Sequence, residues 1–272
     1  MKVIVNADDY GRDENATKAI AECFANGELT STTAMVTSPY IGEAIAIAKR
    51  GEFFDRIGLH VNLVEGFPLT EEIKNCPLFC DETGAFNAAF IHRKLTRLLL
   101  PKRVRDIAGL EIRAQMSKFV SLGFPLRHYD SHCHSCTALS LLDAALDAAL
   151  DYGFKSTRIY INTSGNSTGG ELSWLRRQYC RCVSSRIGLK GMIHTDYLGY
   201  TWDITRWIDR IPDTATFEVL CHPDYRAPDK TYDMNGKLMD WKTPWEVTHA
   251  NMQSINGKIT LVSFADLYNG NK

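Results

Sequence analysis

The sequence has no apolar run that approaches the ~20 residues a helix needs to span a bilayer. It also has no excess of either charge, since 31 lysines and arginines face 32 aspartates and glutamates and the net charge is −1. A balanced chain has no electrostatic footprint for nucleic acid or for an anionic membrane. The N-terminus runs directly into a strand-like segment, without the pattern of a signal peptide. We therefore expect a cytoplasmic protein that binds neither nucleic acid nor membrane.

Eight cysteines are present, but the setting that would make them a disulfide framework is missing. Disulfide-dense domains are short and secreted, whereas this chain has 272 residues. The segment His132-Cys133-His134-Ser135-Cys136 crowds four possible zinc ligands together. Structural zinc sites usually take a second pair of ligands from a distant segment, which is absent from this pattern. The sequence therefore favours buried or half-exposed thiols over a structural zinc site.

Strand-like runs alternate with segments of helical periodicity along the whole chain. The predicted strands lie near residues 2–7, 32–36, 57–63, 127–131, 158–161, 192–194, 216–221 and 259–262. The predicted helices cover 13–25, 41–50, 103–122, 139–149, 172–186, 202–211 and 244–255. Eight such units, without internal repeats or a break in composition, predict an α/β fold with one (β/α)-type barrel domain over residues 1–272. A doubly wound open sheet would produce the same alternation.

Acidic residues and histidines stand at the ends of the short apolar runs that predict strands. The residues in these positions are Asp8, Asp9, His60, Asp130, His132, His134 and His222. In an extended chain His132 and His134 would face the same side, because side chains alternate along a strand. The C-terminal ends of parallel strands open on one face of a barrel, so we expect these side chains to lie close together. Carboxylates and imidazoles gathered in this way are typical of a metal site with an acid/base pair beside it.

The residue types suggest a distribution of roles. Asp9, His60 and His132 would supply one oxygen and two nitrogen ligands and leave positions for water and substrate. Asp8 would take a proton from the water, whose pKa a metal lowers. Arg158, near the fifth predicted strand, would keep Asp8 ionised and oriented.

His222, at the opposite rim, would protonate a leaving group, and the residues together would suit hydrolysis of an amide or ester.

Each motif also has a simpler interpretation when taken alone. The segment Asp8-Asp9-Tyr10-Gly11 could be a turn with a helix N-cap, His60 could be a structural histidine, and His222-Pro223 could merely end a strand.

Several of these motifs resemble those of the YdjC-like carbohydrate deacetylases, often named chitooligosaccharide or chitin-disaccharide deacetylases. The motifs are Asn6-Ala7-Asp8-Asp9-Tyr10-Gly11, Leu29-Thr30-Ser31-Thr32-Thr33-Ala34-Met35-Val36, Gly58-Leu59-His60-Val61-Asn62-Leu63, Tyr129-Asp130-Ser131-His132-Cys133-His134 and Glu218-Val219-Leu220-Cys221-His222-Pro223. They occur in the family's order. The resemblance implies a distorted (β/α) barrel, similar to a TIM barrel, with a divalent metal ion, removal of N-acetyl groups from small sugars, and a homodimer.

Carried over residue by residue, the resemblance assigns the same roles. It implies Asp9, His60 and His132 as metal ligands, Asp8 as general base, His222 as acid and Arg158 as the matching family arginine. Two positions depart from the family: Cys136 stands where a further histidine is frequent, and Tyr10 replaces a common phenylalanine. Both lie near the expected sugar-binding rim, so they bear on the substrate rather than on the chemistry.

Two long aperiodic stretches, 64–90 and 223–243, follow the strands that carry His60 and His222. Barrel enzymes build specificity from loops at this face, so we expect these stretches to wall a cleft for a mono- or disaccharide. The candidate substrate-binding residues are Phe67, His134, Tyr225, Tyr232 and Trp241. Alternatively, the two stretches cover barrel helices or form a dimer contact.

Other functions fit the same residues. A different metal hydrolase on this barrel would act on a cyclic amide or ester and show no preference for N-acetyl sugars. A non-catalytic sugar-binding protein would keep the fold without needing Asp8 or His222. The identity of the metal is also open, since one carboxylate and two imidazoles suit zinc, cobalt or nickel, whereas the family is often described with magnesium.

Overall fold

The structure is a computed structural model that describes residues 1–163, 172–224, 231–232, 238–239, 257 and 259–269. Its centre is a parallel sheet with the strand order β5-β4-β3-β2-β1-β7-β6, and β10 also pairs with β1. These strands are β1 (Lys2–Tyr10), β2 (Ser31–Ala34), β3 (Ile57–Val61), β4 (His128–Ser131), β5 (Ser156–Thr157), β6 (Tyr197–Tyr200), β7 (Thr216–Cys221) and β10 (Thr260–Leu261). A separate antiparallel pair consists of β8 (Thr231–Tyr232) and β9 (Leu238–Met239).

Helices connect the strands. They are α1 (Glu14–Ala25), α2 (Ile41–Arg50), α3 (Glu71–Lys74), α4 (Ala89–His92), α5 (Lys102–Ser121), α6 (Leu142–Asp151), α7 (Trp174–Leu189), α8 (Thr201–Trp207) and α9 (Phe264–Asn269). Short 3₁₀ turns cover Phe54–Arg56 and His132–His134. No helix in the described ranges is long and apolar enough to cross a membrane.

The ends of the helices follow from local chemistry. Helix α1 begins after Asp13, whose side chain accepts a hydrogen bond from the backbone N–H of Ala16 and caps the first turn. It ends before Gly27, which has a φ of 73° that glycine adopts without steric cost. Helix α2 has Glu43 in its first turn and Lys49 and Arg50 in its last, as the helix dipole favours.

The central position of β1 explains why its apolar run is continuous. The strand pairs with β7 along one edge and with β2 and β10 along the other, so both of its edges are covered. Every residue of β1 after Lys2 is buried. A parallel strand covered on both faces needs apolar side chains on both, as Val3, Ile4 and Val5 supply. The polar residues at its C-terminal end are therefore held in a dry and crowded environment.

The two outer strands of the sheet approach each other through a few hydrogen bonds. The N–H of Thr157 donates to the carbonyl of Ile193 at 3.0 Å, and the N–H of Ile193 donates to the carbonyl of Lys155 at 2.9 Å. The N–H of Asn162 donates to the carbonyl of Leu198 at 3.3 Å. The sheet is thus curled into a distorted, barrel-like α/β fold, which confirms the predicted fold class.

The predictions for the fifth and sixth strands were wrong in detail. The fifth strand is Ser156–Thr157, and Arg158 follows it instead of lying within it. The segment 192–194 makes only an isolated bridge between Ile193 and Ser156, and the sixth strand is Tyr197–Tyr200. A glycine within this strand obscures its pattern, since glycine is unusual in strand interiors. The predicted helix 244–255 lies outside the described residues.

Candidate active site

Three side chains from β1, β3 and the segment after β4 meet at one point, although β2 lies between β1 and β3 in the sheet. Asp9 is the penultimate residue of β1, His60 lies in β3 and His132 follows β4. Oδ1 of Asp9 lies 3.3 Å from Nε2 of His60 and 3.0 Å from Nδ1 of His132. The two imidazole nitrogens are 3.3 Å apart. The structure thus brings together the three residues predicted as metal ligands, and it places the acceptor atom of each toward the other two.

This donor set fits a metal ion. Oδ1 of Asp9 is buried and accepts no hydrogen bond of good geometry within the described part of the chain. Three lone pairs that face one another need either protons or a cation between them. Burial lowers the pKa of His60, but the charges of Asp130 and Asp8 outweigh burial and raise it to about 10. The cluster therefore favours positive charge, which a divalent ion would supply.

A second layer of contacts orients the candidate metal ligands. Nδ1 of His60 lies 2.6 Å from Oδ1 of Asp130, and the hydroxyl of Thr33 donates to Oδ2 of Asp130 at 3.0 Å. A carboxylate behind a histidine fixes its tautomer and orientation in many metal sites. The second group that could hold an ion among the described residues consists of Asp8, His60 and Asp130, and it shares His60 with the first.

Arg12 holds the other oxygen of Asp9. Its Nη1 donates to Oδ2 of Asp9 at 2.8 Å, and its Nη2 donates to Asp224, just beyond β7. Oδ1 of Asp9 is thereby left to face the histidines. Sequence reasoning missed both Arg12 and Asp224, because their pairing depends on the adjacency of β1 and β7 in space.

A single buried arginine supports the acidic side of the site. Arg158 is only 2% exposed, and its Nη1 and Nη2 donate to the two carboxylate oxygens of Asp8, each at 2.7 Å. Nη2 also lies 2.7 Å from Oδ2 of Asp130, and Nε donates to Oε1 of Glu218 at 2.6 Å. One guanidinium thus serves three carboxylates, a geometry that its fork of donors permits.

Because Arg158 interacts with Asp8 and Glu218 to different extents, their pKa values move in opposite directions. Burial opposes ionisation of Asp8, but the charge of Arg158 outweighs it and lowers the pKa of Asp8 to about 2. Burial raises the pKa of Glu218 to about 7, because Arg158 compensates it only partly. Asp8 is therefore ionised at neutral pH, as a general base requires.

His222 stands at the rim, as predicted. Its Nε2 is 3.8 Å from Oδ2 of Asp8, and its side chain is 46% exposed. Desolvation beside the cluster lowers its pKa below the ordinary value, although Asp8 and Asp9 act in the opposite direction. The imidazole can thus exchange protons with solvent while it lies close to the acids.

The segment after β4 differs from the extended chain that was expected. Cys133 and His134 have φ values of 56° and 54°, and Asp9 has 70°. Non-glycine residues in the left-handed region are strained, and such strain gathers at functional sites. The turn directs His134 away from His132, and its ring lies 5.1 Å from that of Tyr160. The inference that the two histidines face the same side of a strand is therefore wrong.

The predicted substrate-binding residues differ in exposure and in whether the structure describes them. Phe67 lies on the segment after β3 and is 59% exposed. Burial and the charge of Arg158 lower the pKa of His134 to about 3, so this histidine is neutral. Tyr225 and Trp241 lie outside the described residues, as does the side chain of Tyr232. The eight cysteines are all unbridged, six of them buried and two half-buried, in keeping with the predicted thiols.

Known proteins similar to this chain indicate its family. The family model described as YdjC-like protein matches residues 2–254. A carbohydrate deacetylase of Brevibacillus brevis is 32% identical over 229 residues, which cover 83% of this chain and 82% of that protein. A carbohydrate deacetylase of Thermoanaerobacter pseudethanolicus is 35% identical over 150 residues, covering 55% of this chain and 57% of that protein. The match to this second relative thus spans little more than half of its length.

A solved structure from Enterococcus faecalis has the same fold. That protein, provisionally described as a cellobiose-phosphate cleavage protein, superposes with a TM-score of 0.69 over 98% of both chains. At 24% identity the likeness concerns the fold alone. The family match, in contrast, extends over nearly the whole sequence and includes every motif described above, so the chain belongs to the YdjC-like protein family.

Proposed function

We propose that this chain is a metal-dependent hydrolase that removes N-acetyl groups from small N-acetylated sugars. The observation that carries the proposal is the juxtaposition of Asp9, His60 and His132 with the ionised Asp8. The names of the Brevibacillus and Thermoanaerobacter relatives support the carbohydrate deacetylase activity.

The ligand atoms would be Oδ1 of Asp9, Nε2 of His60 and Nδ1 of His132, the three that face one another. When bound, a divalent ion such as zinc or magnesium polarises the acetyl carbonyl and makes a water molecule more acidic. Asp130 behind His60 and Arg12 beside Asp9 would keep these ligands in place.

Asp8 would take the proton of the attacking water. The bidentate bonds from Arg158 hold both of its oxygens in a fixed direction, and Asn6 Nδ2 donates a further hydrogen bond at 3.0 Å. Such contacts lower the basicity of Asp8, but they also keep it deprotonated at every pH where the enzyme would work. A positioned base contributes about 10²–10⁴-fold to rate.

His222 would deliver a proton to the leaving amine as the C–N bond breaks. Its exposed position suits this role, because the imidazole can be reprotonated from solvent between turnovers. The proton held by Asp8 after attack and the proton given by His222 balance over one cycle. The products are acetate and a free amino sugar.

The substrate would be small because the metal-ligand cluster lies at the end of a buried strand. Phe67 offers an exposed ring on the segment after β3, suited to stacking on a sugar face. We propose a mono- or disaccharide as the substrate, and a homodimer as the assembly.

The test is release of acetate from N-acetylglucosamine, diacetylchitobiose and polymeric chitin, with chelator and with zinc or magnesium added back. We expect hydrolysis of a small sugar that chelation abolishes and metal restores. Equal activity on simple cyclic amides would favour the other metal hydrolase. Binding of the sugars without acetate release would favour a sugar-binding protein, and preference for the polymer would contradict the short cleft.

A further inference from the structure

The segment after β3 forms part of the mouth of the site. Glu65 Oε1 lies 4.0 Å from Nε2 of His132, the nitrogen that faces away from the metal-ligand cluster. Two residues further along, Phe67 is exposed. A carboxylate beside the site, followed two residues later by an exposed aromatic ring, offers the side-chain types that bind a sugar. Their position depends on what holds the segment from Asn62 to Thr70.

Asn62 closes the first turn of this segment. Its Oδ1 accepts hydrogen bonds from the backbone N–H groups of Val64 and Glu65, at 3.0 and 3.2 Å. Its Nδ2 donates to the carbonyl of Glu65 at 2.7 Å and to the hydroxyl of Thr37 at 3.0 Å. The side chain of Asn62 is buried, so these bonds are shielded from water.

Gln115 of α5 fixes the backbone of Asn62. Its Oε1 accepts from the N–H of Asn62 at 2.9 Å, and its Nε2 donates to the carbonyl of Asn62 at 2.7 Å. One side-chain amide thus supplies the donor and acceptor that a neighbouring strand would otherwise present. The register of the chain beyond β3 is thereby set by a helix.

Glu111, one turn before Gln115, fixes the other end. Its carboxylate accepts from the N–H of Leu69 at 3.0 Å, from the N–H of Thr70 at 2.8 Å and from the hydroxyl of Thr70 at 2.7 Å. Nε2 of Gln115 donates to it at 2.8 Å and links the two anchors. Glu111 is fully buried, and these partners are all uncharged donors.

A buried carboxylate is a costly way to dock a helix, since apolar contacts would suffice. Helix α5 already has such contacts through Ile112, Met116 and Phe119, which are fully buried. Glu111 adds an orientational constraint on the segment, because its oxygens accept hydrogen bonds only from N–H and O–H groups that point at them.

We propose that Glu111 and Gln115 are positioning residues that hold the segment from Asn62 to Thr70 in one conformation, so that Glu65 and Phe67 form a preformed wall for the sugar ring. This inference rests on the proposed function for its substrate, and it adds that sugar affinity is set from the buried face of helix α5. If the segment is already ordered, less conformational entropy is lost when the sugar binds. Disordering the segment should therefore raise KM more than it lowers kcat.

The first experiment compares Glu111→Gln with the wild type. The substitution keeps the shape but turns an amide N–H₂ toward backbone N–H groups. We expect the KM for diacetylchitobiose to rise about tenfold, the effect of one buried hydrogen bond, while kcat changes less than about threefold. Hydrogen exchange of the amides from Glu65 to Thr70 should accelerate, and bound metal should stay equal.

A control on the same helix separates positioning from general stability. Ile112→Val removes a methyl group from the core one residue away and leaves the hydrogen bonds that Glu111 and Gln115 make to the segment in place. It should lower the melting temperature but leave KM and the exchange of the segment unchanged. If Glu111→Gln does not fold, Thr70→Val deletes only the hydroxyl bond to Glu111 and should shift KM in the same direction by a smaller factor.

A double-variant cycle tests whether Glu111 acts through Phe67. If it does, Phe67→Ala combined with Glu111→Gln should raise KM no further than the more severe single variant. Multiplicative effects on KM, or an unchanged KM in Glu111→Gln, would overturn the proposal.

The exchange measurement distinguishes failure of the two proposals. A wild type that hydrolyses no acetylated sugar refutes the proposed function, and faster exchange in Glu111→Gln would still support the anchoring. Unchanged exchange in Glu111→Gln refutes the anchoring, whatever the activity.

Discussion

At the scale of single residues, the site depends on how one positive charge is shared. The terminal nitrogens of Arg158 are occupied by Asp8 and Asp130, so Glu218 receives only the Nε donor. Glu218 therefore adds a negative charge to a region that already holds two. Burial, together with the charges of Asp130 and Asp8, therefore moves the pKa of Glu218 upward, while Arg158 moves that of Asp8 downward.

Substitution of Asp8 tests its role directly. Asp8→Asn should reduce kcat by about 10²–10⁴, because the amide cannot accept the proton of water. Bound metal, measured by elemental analysis, should stay near the wild-type amount, since the three proposed ligands are intact. His60→Ala, in contrast, should lose the metal. Full deacetylation by Asp8→Asn would show that the base lies elsewhere.

Glu218 predicts a pH dependence of stability. Its pKa is about 7 in the folded chain against 4.5 for the unconstrained group, so the folded state binds more protons between these values. The contribution of Glu218 is fully present below pH 4.5 and is lost as the pH rises through 7. Arg158 lies against Glu218, and the charges of Asp130 and Asp8 also act on it.

Glu218→Gln should abolish the decrease in folding stability that ionisation of Glu218 causes as the pH rises. Between pH 5 and 8, the free energy of unfolding of the wild type should fall relative to the variant by about 1–3 kcal/mol. Denaturant titrations across this range measure the difference. If the free energies of unfolding of the two proteins changed with pH in parallel, Glu218 would already be ionised at pH 5.

Sequence reasoning found the three proposed metal ligands because each lies at the end of an apolar run, and these runs end at the same face of the sheet. It found Arg158 in the same way, although the strand lies two residues earlier than expected. Arg12 was missed because nothing in its surroundings along the chain indicates Asp224 as a partner. Glu111 was missed for a similar reason, since a carboxylate on a long helix usually faces solvent.

At the scale of elements, the approach of neighbouring strands fixes where His60 lies. Gly58 is two residues before it in β3, and an added Cβ would lie 2.9 Å from the carbonyl oxygen of His128 in β4. Gly58→Ala should therefore separate these strands, cost about 1–3 kcal/mol of stability and weaken metal binding. Thermal unfolding and metal titration measure both effects.

Gly42 supplies the matched control for this prediction. It lies in α2, and an added Cβ would meet no atom of the described residues within 4 Å. Gly42→Ala should be neutral or stabilise the chain by up to about 1 kcal/mol, because alanine favours the helix. Equal losses in the two variants would contradict the steric explanation.

The elements that sequence predicted best have long and regular patterns. Helix α2 has the predicted bounds, and β7 does as well. Strand β6 was missed because Gly199 stands in its middle, where a side chain would meet Oγ1 of Thr163 at 2.3 Å. This requirement comes from a contact across the fold, so the local pattern does not contain it.

At the scale of the whole molecule, a metal ion would join β1, β3 and the segment after β4. An ion that binds only the folded chain stabilises it by about 2.7 kcal/mol at a hundred times its Kd. We expect chelation to lower the melting temperature by about 5–10 °C, as the size of the chain implies. Differential scanning calorimetry with metal added back measures the shift.

Two variants locate the ion in this experiment. His60→Ala should show no response to metal, whereas Asp8→Asn should respond as the wild type does. If Asp8→Asn lost the response instead, the ion would lie between Asp8, His60 and Asp130, the second group that could hold an ion among the described residues.

The central place of β1 also has a consequence for biosynthesis. The thiol of Cys221 in β7 hydrogen-bonds the carbonyl of Asn6 in β1, 215 positions earlier in the chain. A ribosome adding about 5–20 residues per second needs about 10–40 s to make the intervening segment. Throughout that time the apolar strand with Asp8 and Asp9 has one edge without its partner, and such edges attract chaperones or other nascent chains. The site thus reaches its final form only after β7 has been made, so the proposed metal ion would bind only after most of the chain has been synthesised.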